Sequence, residues 1–230
     1  MQGGPIHWAA THRLHHAKVD QEGDPHSPVV NSFLWSHVIW NFFNHPDLKT
    51  EEQLRHLAPD LYDDKGYLFF QKHFLLINIL FGLFAVGLAW ILGGWKIALS
   101  LFVWGGLLRV VAVWNSTWLV NSATHVWGYR NYDSLDQSRN NWLVAFLCLG
   151  EGWHNNHHAN PQVASNQHRW FELDVTFWVI YLMSLCGLIS DIALLKKKVR
   201  NPIIKTLIKP LAKIELEPLI EPLPKLKSVN

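Results

Sequence analysis

The chain alternates between polar stretches crowded with His and Trp and long runs that are almost wholly apolar. Residues 1–73 are polar and carry charges of both signs. Loop signals punctuate them at Glu22-Gly23-Asp24-Pro25, His45-Pro46-Asp47 and Asp63-Asp64-Lys65-Gly66. From Phe74 to Gly93 the sequence is nearly all apolar, with Asn78 as its single strongly polar residue. At about 1.5 Å rise per residue, such a run just crosses a hydrocarbon core of about 30 Å. The short turn Gly93-Gly94-Trp95-Lys96 leads into a second run, Ile97 to Val120, interrupted by Arg109, Asn115 and Thr117. Two consecutive runs of this length predict a membrane hairpin over 74–93 and 97–120. The alternative, a helical hairpin inside a soluble core, rarely has two runs this long. Ionisable groups are costly at membrane depth, so Arg109 is expected to face protein or a polar cavity.

A third apolar stretch, Val175 to Leu195, is long enough to span by hydropathy, but charge placement argues otherwise. Lys96 is the single charge of the hairpin turn, whereas Lys72, Arg130, Arg139 and the cluster Lys196-Lys197-Lys198-Val199-Arg200 lie outside it. By the positive-inside rule both flanks of the hairpin are cytoplasmic. A single span at 175–195 would carry the basic cluster to the opposite side. This segment is therefore expected to pack on the cytoplasmic domain or to lie at the membrane interface. Beyond Asn201, Pro202, Pro210, Pro218, Pro222 and Pro224 among alternating Lys and Glu suggest a flexible tail. The expected organisation is all-α. A cytoplasmic segment (1–73) is followed by a transmembrane hairpin (74–120), a cytoplasmic cap (121–195) and a basic, Pro-rich tail (196–230).

Composition refines this picture. The mean hydropathy of +0.04 would suit a soluble protein, but the apolar residues are clustered rather than spread. A net charge of +2, with no dense basic stripe upstream of the tail, argues against nucleic-acid binding. Cys148 and Cys186 both sit in apolar surroundings and read as buried thiols rather than a disulfide. Met1 leads into a polar, His-bearing stretch, so no signal peptide is expected there. The unusual numbers are 14 His and 13 Trp.

The histidines are patterned. His12-Arg13-Leu14-His15-His16 sets three imidazoles at i, i+3 and i+4, which places them on one face of a helix. The same spacing returns at His154-Asn155-Asn156-His157-His158. A lone histidine is usually a satisfied polar residue, but two matched triples point to a metal. The two triples flank the hairpin in sequence, so the hairpin returns both to one membrane face. Asn121 and His125 lie one helical turn apart where the second run ends, which makes His125 a further candidate ligand. Seven imidazoles exceed what one ion uses, so two metals fit better. A zinc hydrolase would be expected to use three protein ligands, a water and a carboxylate base, for which Glu151 is the nearest candidate. A redox pair of metals beside a hydrophobic compartment suggests oxidation of a hydrocarbon by dioxygen.

The sequence resembles the membrane fatty acid desaturases, in particular the delta-9 group of stearoyl-CoA and acyl-lipid enzymes. The match rests on HRLHH at 12–16, GDPH at 23–26 and SHVIW at 36–40. It continues through Asn115 to His125 with Gly128-Tyr129-Arg130, and through Gly150-Glu151-Gly152-Trp153 into the last histidine box. The likeness runs in order from about residue 5 to 195. It implies two iron ions held by His12, His15, His16, His125, His154, His157 and His158, with Asn121 reaching iron through a water. It also implies a kinked acyl tunnel with Trp118 contacting substrate. The implied reaction is insertion of a cis double bond using dioxygen and two electrons from an external donor of the ferredoxin or cytochrome b5 type.

Two departures qualify the resemblance. The family has a hairpin and a first histidine box of HRxxxxH or HRxxxH form upstream of HxxHH, and this sequence starts after both. His7 is a poor substitute, so the 230-residue chain alone is expected to be inactive. Positions charged in acyl-CoA-using relatives are Ala10, Thr11, Phe43 and Asn44 here, which turns the expectation towards an acyl-lipid substrate. Lys18, Lys49 and Arg55 lie close enough in sequence to compensate. A related membrane hydroxylase and a non-catalytic truncated desaturase are the alternatives.

The topology is testable directly: a reporter fused after Lys198 is expected to read cytoplasmic. A signal from the opposite side would make residues 175–195 a third span.

Overall fold

The computed structural model describes residues 3–195; the flexible-tail expectation for 196–230 lies outside them. The described residues are helical, without strands; two isolated bridges, Tyr129–Asn140 and Asn140–Trp153, tie loops together. The first helix, α1 (Pro5–Lys18), opens with proline at a position where the missing N–H costs nothing. Its orphan amides at Ile6 and His7 donate to Gln71 Oε1 at 3.0 and 3.1 Å. One face of α1, Ile6, Ala10 and Leu14, is buried against Leu48 and Ala58, with Leu54, Leu57 and Leu61 around them. That spacing leaves the His12/His15/His16 face turned the other way.

Short helices carry the chain across the top of this core. They are α2 (Phe33–His37), α3 (Glu51–Leu57) and α4 (Pro59–Tyr62), with 3-10 turns at Ile39–Phe42 and Pro46–Leu48. A reciprocal capping box starts α3: Thr50 Oγ1 accepts from Gln53 N, and Gln53 Oε1 accepts from Thr50 N. Arg13 reaches Asp60 with both guanidinium nitrogens, at 2.5 and 2.9 Å, and so pins α1 to α4.

Asp64 then caps α5 (Lys65–Ser100) by accepting from Gly66 N and Tyr67 N. It is followed by a π-helical stretch at Leu101–Leu108, then α6 (Arg109–Ser122) and a 3-10 turn at Ala123–His125. By length and composition this apolar run is sufficient to cross a membrane, and its most apolar window is not buried at all. It is not one straight rod. A straight helix from Gln71 to His125 would be about 80 Å long, whereas α1, which touches both residues, is about 21 Å long. The break is at Gly94, with φ 76° and ψ 179°, a conformation that a Cβ would oppose.

Arg109 differs from its expected placement. It is exposed and donates to Gly105 O at 2.9 Å, because the π-helical turn offers it a carbonyl on its own helix.

After the run come α7 (Trp142–Leu147), capped by Asn141, and α8 (His154–Ala159), followed by α9 (Val175–Leu185), capped by Asp174. Val144 on α7 packs against Val120 and Ala123, and Cys148 Sγ donates to Ser116 O, so α7 is bound to the end of α6. Helix α9 stops at Leu185. Its roughly 16 Å is well short of a hydrocarbon core. Its apolar side chains Trp178, Val179, Leu182 and Leu185 are all exposed. Cys186 is exposed and Cys148 half-buried, and both are free thiols.

Gly152 has no room for a side chain: a Cβ there would strike the Ala145 backbone amide, while Gly152 O accepts from Asn141 N. Gly152→Ala is expected to lower the thermal midpoint of the detergent-solubilised protein by several degrees, since overpacking costs about 1–3 kcal/mol. Gly82→Ala, with open space around it, is expected to leave the midpoint unchanged. Equal midpoints for both variants would mean that α7 and the His-bearing loop are not packed as described.

Candidate metal centre

Three separate elements deliver imidazoles to one place. Helix α1 supplies His12, His15 and His16, the 3-10 turn after α6 supplies His125, and α8 supplies His154, His157 and His158. They form two groups. In one, His12, His16 and His157 bring their Nε2 atoms into a triangle with edges of 3.1, 3.1 and 2.9 Å. In the other, His15, His125, His154 and His158 converge. There the Nε2 separations are 3.4 Å for His15–His158 and 2.9 Å for His158–His154. His125 Nε2 is buried in the second group without a hydrogen-bond partner.

The donor chemistry fits a metal. His15 Nδ1 lies 2.9 and 3.0 Å from the two Asp24 oxygens, His125 Nδ1 lies 2.9 Å from Asp20 Oδ2, and His158 Nδ1 lies 3.2 Å from Asp136 Oδ2. A carboxylate only accepts, so each of these Nδ1 atoms carries the proton and each Nε2 presents a lone pair. Lone pairs gathered this closely repel one another unless a cation lies between them. Two imidazoles bound at right angles with bonds of about 2.1 Å would have nitrogens about 3.0 Å apart. The triangle edges match that value.

Burial favours the neutral form of His12, His15, His16, His154, His157 and His158. Burial, aided by repulsion from His158, lowers His12 to about 4, and burial with repulsion from His158 and His12 lowers His16 to about 3. Burial also depresses His15, His154 and His157, each reinforced by neighbouring imidazoles. The carboxylates stay ionised at neutral pH. Burial raises Asp24 to about 6, against the pull of the His26 and Asp20 amides. Burial would raise Asp20 and Asp136 too. Hydrogen bonds from His125 and Ser27 to Asp20, and from His158 and Ser138 to Asp136, hold both below the usual carboxylate range.

The first group opens onto a cavity of 340 Å³ whose wall includes His12, Thr117, Trp118 and Asn121. Trp118 is buried, stacked on Trp114 and set edge-on to His37, which is held by Ser122 Oγ and Asn115 Oδ1. Asn121 is half-buried one turn before His125. No Lys, Arg, Asp or Glu lines this cavity. His7 lines it too, outside both imidazole groups, and Glu151 is exposed and belongs to neither.

The comparison with known families gives this arrangement a context. The fatty acid desaturase family model matches residues 1–174. The chain belongs to the fatty acid desaturase family. Among curated desaturases, an sn-2 palmitoyl-lipid 9-desaturase of Nostoc sp. is 42% identical over 84% of this chain. An sn-1 stearoyl-lipid 9-desaturase of Anabaena variabilis is 44% identical over 86% of it, and one of Synechocystis sp. 42% identical over 84%. The chain spans 65%, 68% and 57% of those three desaturases' own lengths.

Reading the sequence for histidine spacing missed the residues that orient the rings. Asp20 and Asp136 sit in no repeating pattern, and Asp20 meets His125 across more than a hundred residues. Asp24 and His26 lie within the GDPH motif, and both are buried beside His15. The spacing itself gave no sign of their role.

Metal content tests the grouping. His157→Ala is expected to lose at least half of the bound metal, measured by mass spectrometry on purified protein. His56→Ala, on the exposed side of α3, is expected to retain all of it. Equal loss in both would separate metal binding from these imidazoles.

Proposed function

We propose that this chain forms the di-iron core and acyl pocket of a membrane acyl-lipid delta-9 desaturase. The observation that carries the proposal is the junction at His12 and Asn121. There a charge-free cavity meets a triangle of imidazole nitrogens. One iron would be held by His12, His16 and His157, with Asn121 contributing through a water, and the other by His15, His125, His154 and His158. Iron at these positions supplies the dioxygen activation that the reaction needs. The balanced change is a saturated –CH2–CH2– unit, dioxygen, two electrons and two protons giving –CH=CH– and two waters. The electrons come from an external donor of the ferredoxin or cytochrome b5 type.

The chain's own residues do the rest. Asp20, Asp24 and Asp136 keep Nδ1 protonated on His125, His15 and His158, so that their Nε2 atoms face inward. Trp118 and Trp114 offer apolar faces that hold a methylene chain and exclude water from the reacting carbons. The run from Lys65 to His125, reversing at Gly94, serves as a membrane hairpin. The cap sits on the cytoplasmic side, and the exposed apolar face of α9 rests at the bilayer surface.

Lipid-linked acyl chains suit the pocket better than a CoA thioester, whose phosphates call for Arg or Lys. Thr11, Phe43 and Asn44 line the cavity, and Ala10 is buried in the α1 core. Of the cations that could compensate, Lys18 is paired with Asp47 at 2.8 Å and Arg55 with Asp63 at 2.7 Å.

The test supplies a desaturase containing this chain and a complete first histidine box with stearoyl glycerolipid or stearoyl-CoA, plus reductant. Turnover of the glycerolipid to a cis alkene, at least tenfold faster than of the thioester, is expected. A hydroxylated product would make the chain a hydroxylase, and preference for the thioester would assign Lys18, Lys49 or Arg55 to the head group.

A further inference from the structure

Helix α8 carries three of the seven imidazoles yet has little to hold it. It is six residues long, and no side chain caps its start. A helix this short is not stable by itself. Its three histidines point to one side at i, i+3 and i+4, and its two asparagines point to the other. Those asparagines are fully buried, and what they touch fixes the rotation of the helix.

Asn155 Oδ1 accepts from Asn131 N and Tyr132 N, both at 2.8 Å. Asn156 Oδ1 accepts from Asn131 Nδ2 at 2.8 Å and Asn140 Nδ2 at 2.9 Å, and Asn156 Nδ2 donates to Asn166 O at 2.8 Å. All of this closes on one carboxylate. Glu172 is fully buried, and every partner it has is a donor. Oε1 accepts from Tyr129 Oη at 2.5 Å, Asn131 Nδ2 at 2.6 Å and Asn140 Nδ2 at 3.4 Å. Oε2 accepts from Asn156 Nδ2 at 2.8 Å, His168 N at 2.9 Å and Arg169 N at 2.7 Å.

We infer that Glu172 is a positioning residue for the metal centre, acting through Asn156 to set the orientation of α8. The inference rests on the reading of the histidines as ligands. Helix α8 gives His157 to one imidazole group and His154 and His158 to the other, so a rotation of α8 disturbs both at once. Metal ligands tolerate only about 0.5 Å and 10–20° of displacement. Only an acceptor on both oxygens suits this site. A glutamine has nearly the same volume, but its amide would turn one NH2 group towards amides that can only donate. Burial favours protonation of the Glu172 carboxyl, and its donors overcome this and hold it below the usual carboxylate range.

The test is cobalt(II) binding to the metal-depleted protein in detergent, following cobalt per chain and the visible ligand-field bands. Glu172→Gln is expected to weaken cobalt binding at least about tenfold, the loss typical when a group supporting a metal ligand is removed, and to alter the bands of what still binds. Asn156→Asp sets two carboxylates face to face and is expected to weaken binding by a similar factor. The double variant Glu172→Gln/Asn156→Asp restores the one bond between residues 172 and 156, because the introduced amide can donate to the introduced carboxylate, but it leaves the His168 and Arg169 amides and Asn166 O without complementary partners. It is expected to recover part of the cobalt affinity lost by either single variant, with bands nearer the original. Wild-type affinity and spectrum in both single variants would overturn the inference. So would a double variant that binds no better than the singles, since the loss would then be one of general stability. If the unaltered protein bound no cobalt, the ligand reading itself would fail. That result is distinct from a protein that binds cobalt but is indifferent to residue 172.

Discussion

The elements around the two imidazole groups face the difficulty of burying seven imidazoles against one another. Each ring must be neutral, each must keep a defined proton position, and the lone pairs must face inward despite their mutual repulsion. Three carboxylates resolve this for three of the rings. Asp24, Asp20 and Asp136 each take an Nδ1–H from the outer side of a ring, on His15, His125 and His158 respectively. A charged acceptor strengthens that bond and raises the electron density at the opposite nitrogen, which makes it a better metal ligand. The carboxylates are in turn held by amides and hydroxyls. Asp20 takes Ser27 Oγ and Gln137 N, Asp24 takes the amides of Asp20 and His26, and Asp136 takes Ser138 N. The order of the site thus passes outward from ring to carboxylate to loop backbone.

The apolar run provides the other constraint. Its first turns are tied to α1 through Gln71, and its last residue, His125, lies against His15 on the same helix. Gly94 lets the run reverse, so that residues far apart in the chain meet.

Much of this was legible in the chain, for reasons that differ by element. The HxxHH triples and the two apolar runs are periodic and local, so spacing and length alone place His12, His15, His16, His154, His157 and His158 on helix faces. His125 was readable from its place just past the second run, in company with the two triples, and from the family resemblance. The family resemblance then drew Asn121 and Trp118 into the reading, and both line the cavity. The illegible part is the polar scaffold. Glu172, Asn131 and Asn140 act through hydrogen bonds to residues up to some 40 positions away, and no local pattern separates them from surface polar residues. Arg109 and the early end of α9 escaped for another reason. A π-helical turn and a helix stop depend on packing rather than on hydropathy.

The separation of the clustered histidines along the chain has a consequence for biogenesis. His12 and His16 meet His157 across more than 140 residues. Contacts of such long range close slowly, because the entropy of the intervening loop is lost before any of them forms. During synthesis, α1 would emerge with its imidazoles exposed long before α8 exists. The apolar run would have to turn back at Gly94 before His125 could approach α1, and Asn156 on α8 could not pair with Glu172 until that residue had followed it. At synthesis rates of about 5–20 residues per second, that interval lasts on the order of ten seconds. For that time the first triple is exposed, without the imidazoles it later packs against. Metal captured then would meet an incomplete ligand set. The seven-imidazole cluster is therefore a late product of folding, complete only once α8 is in place.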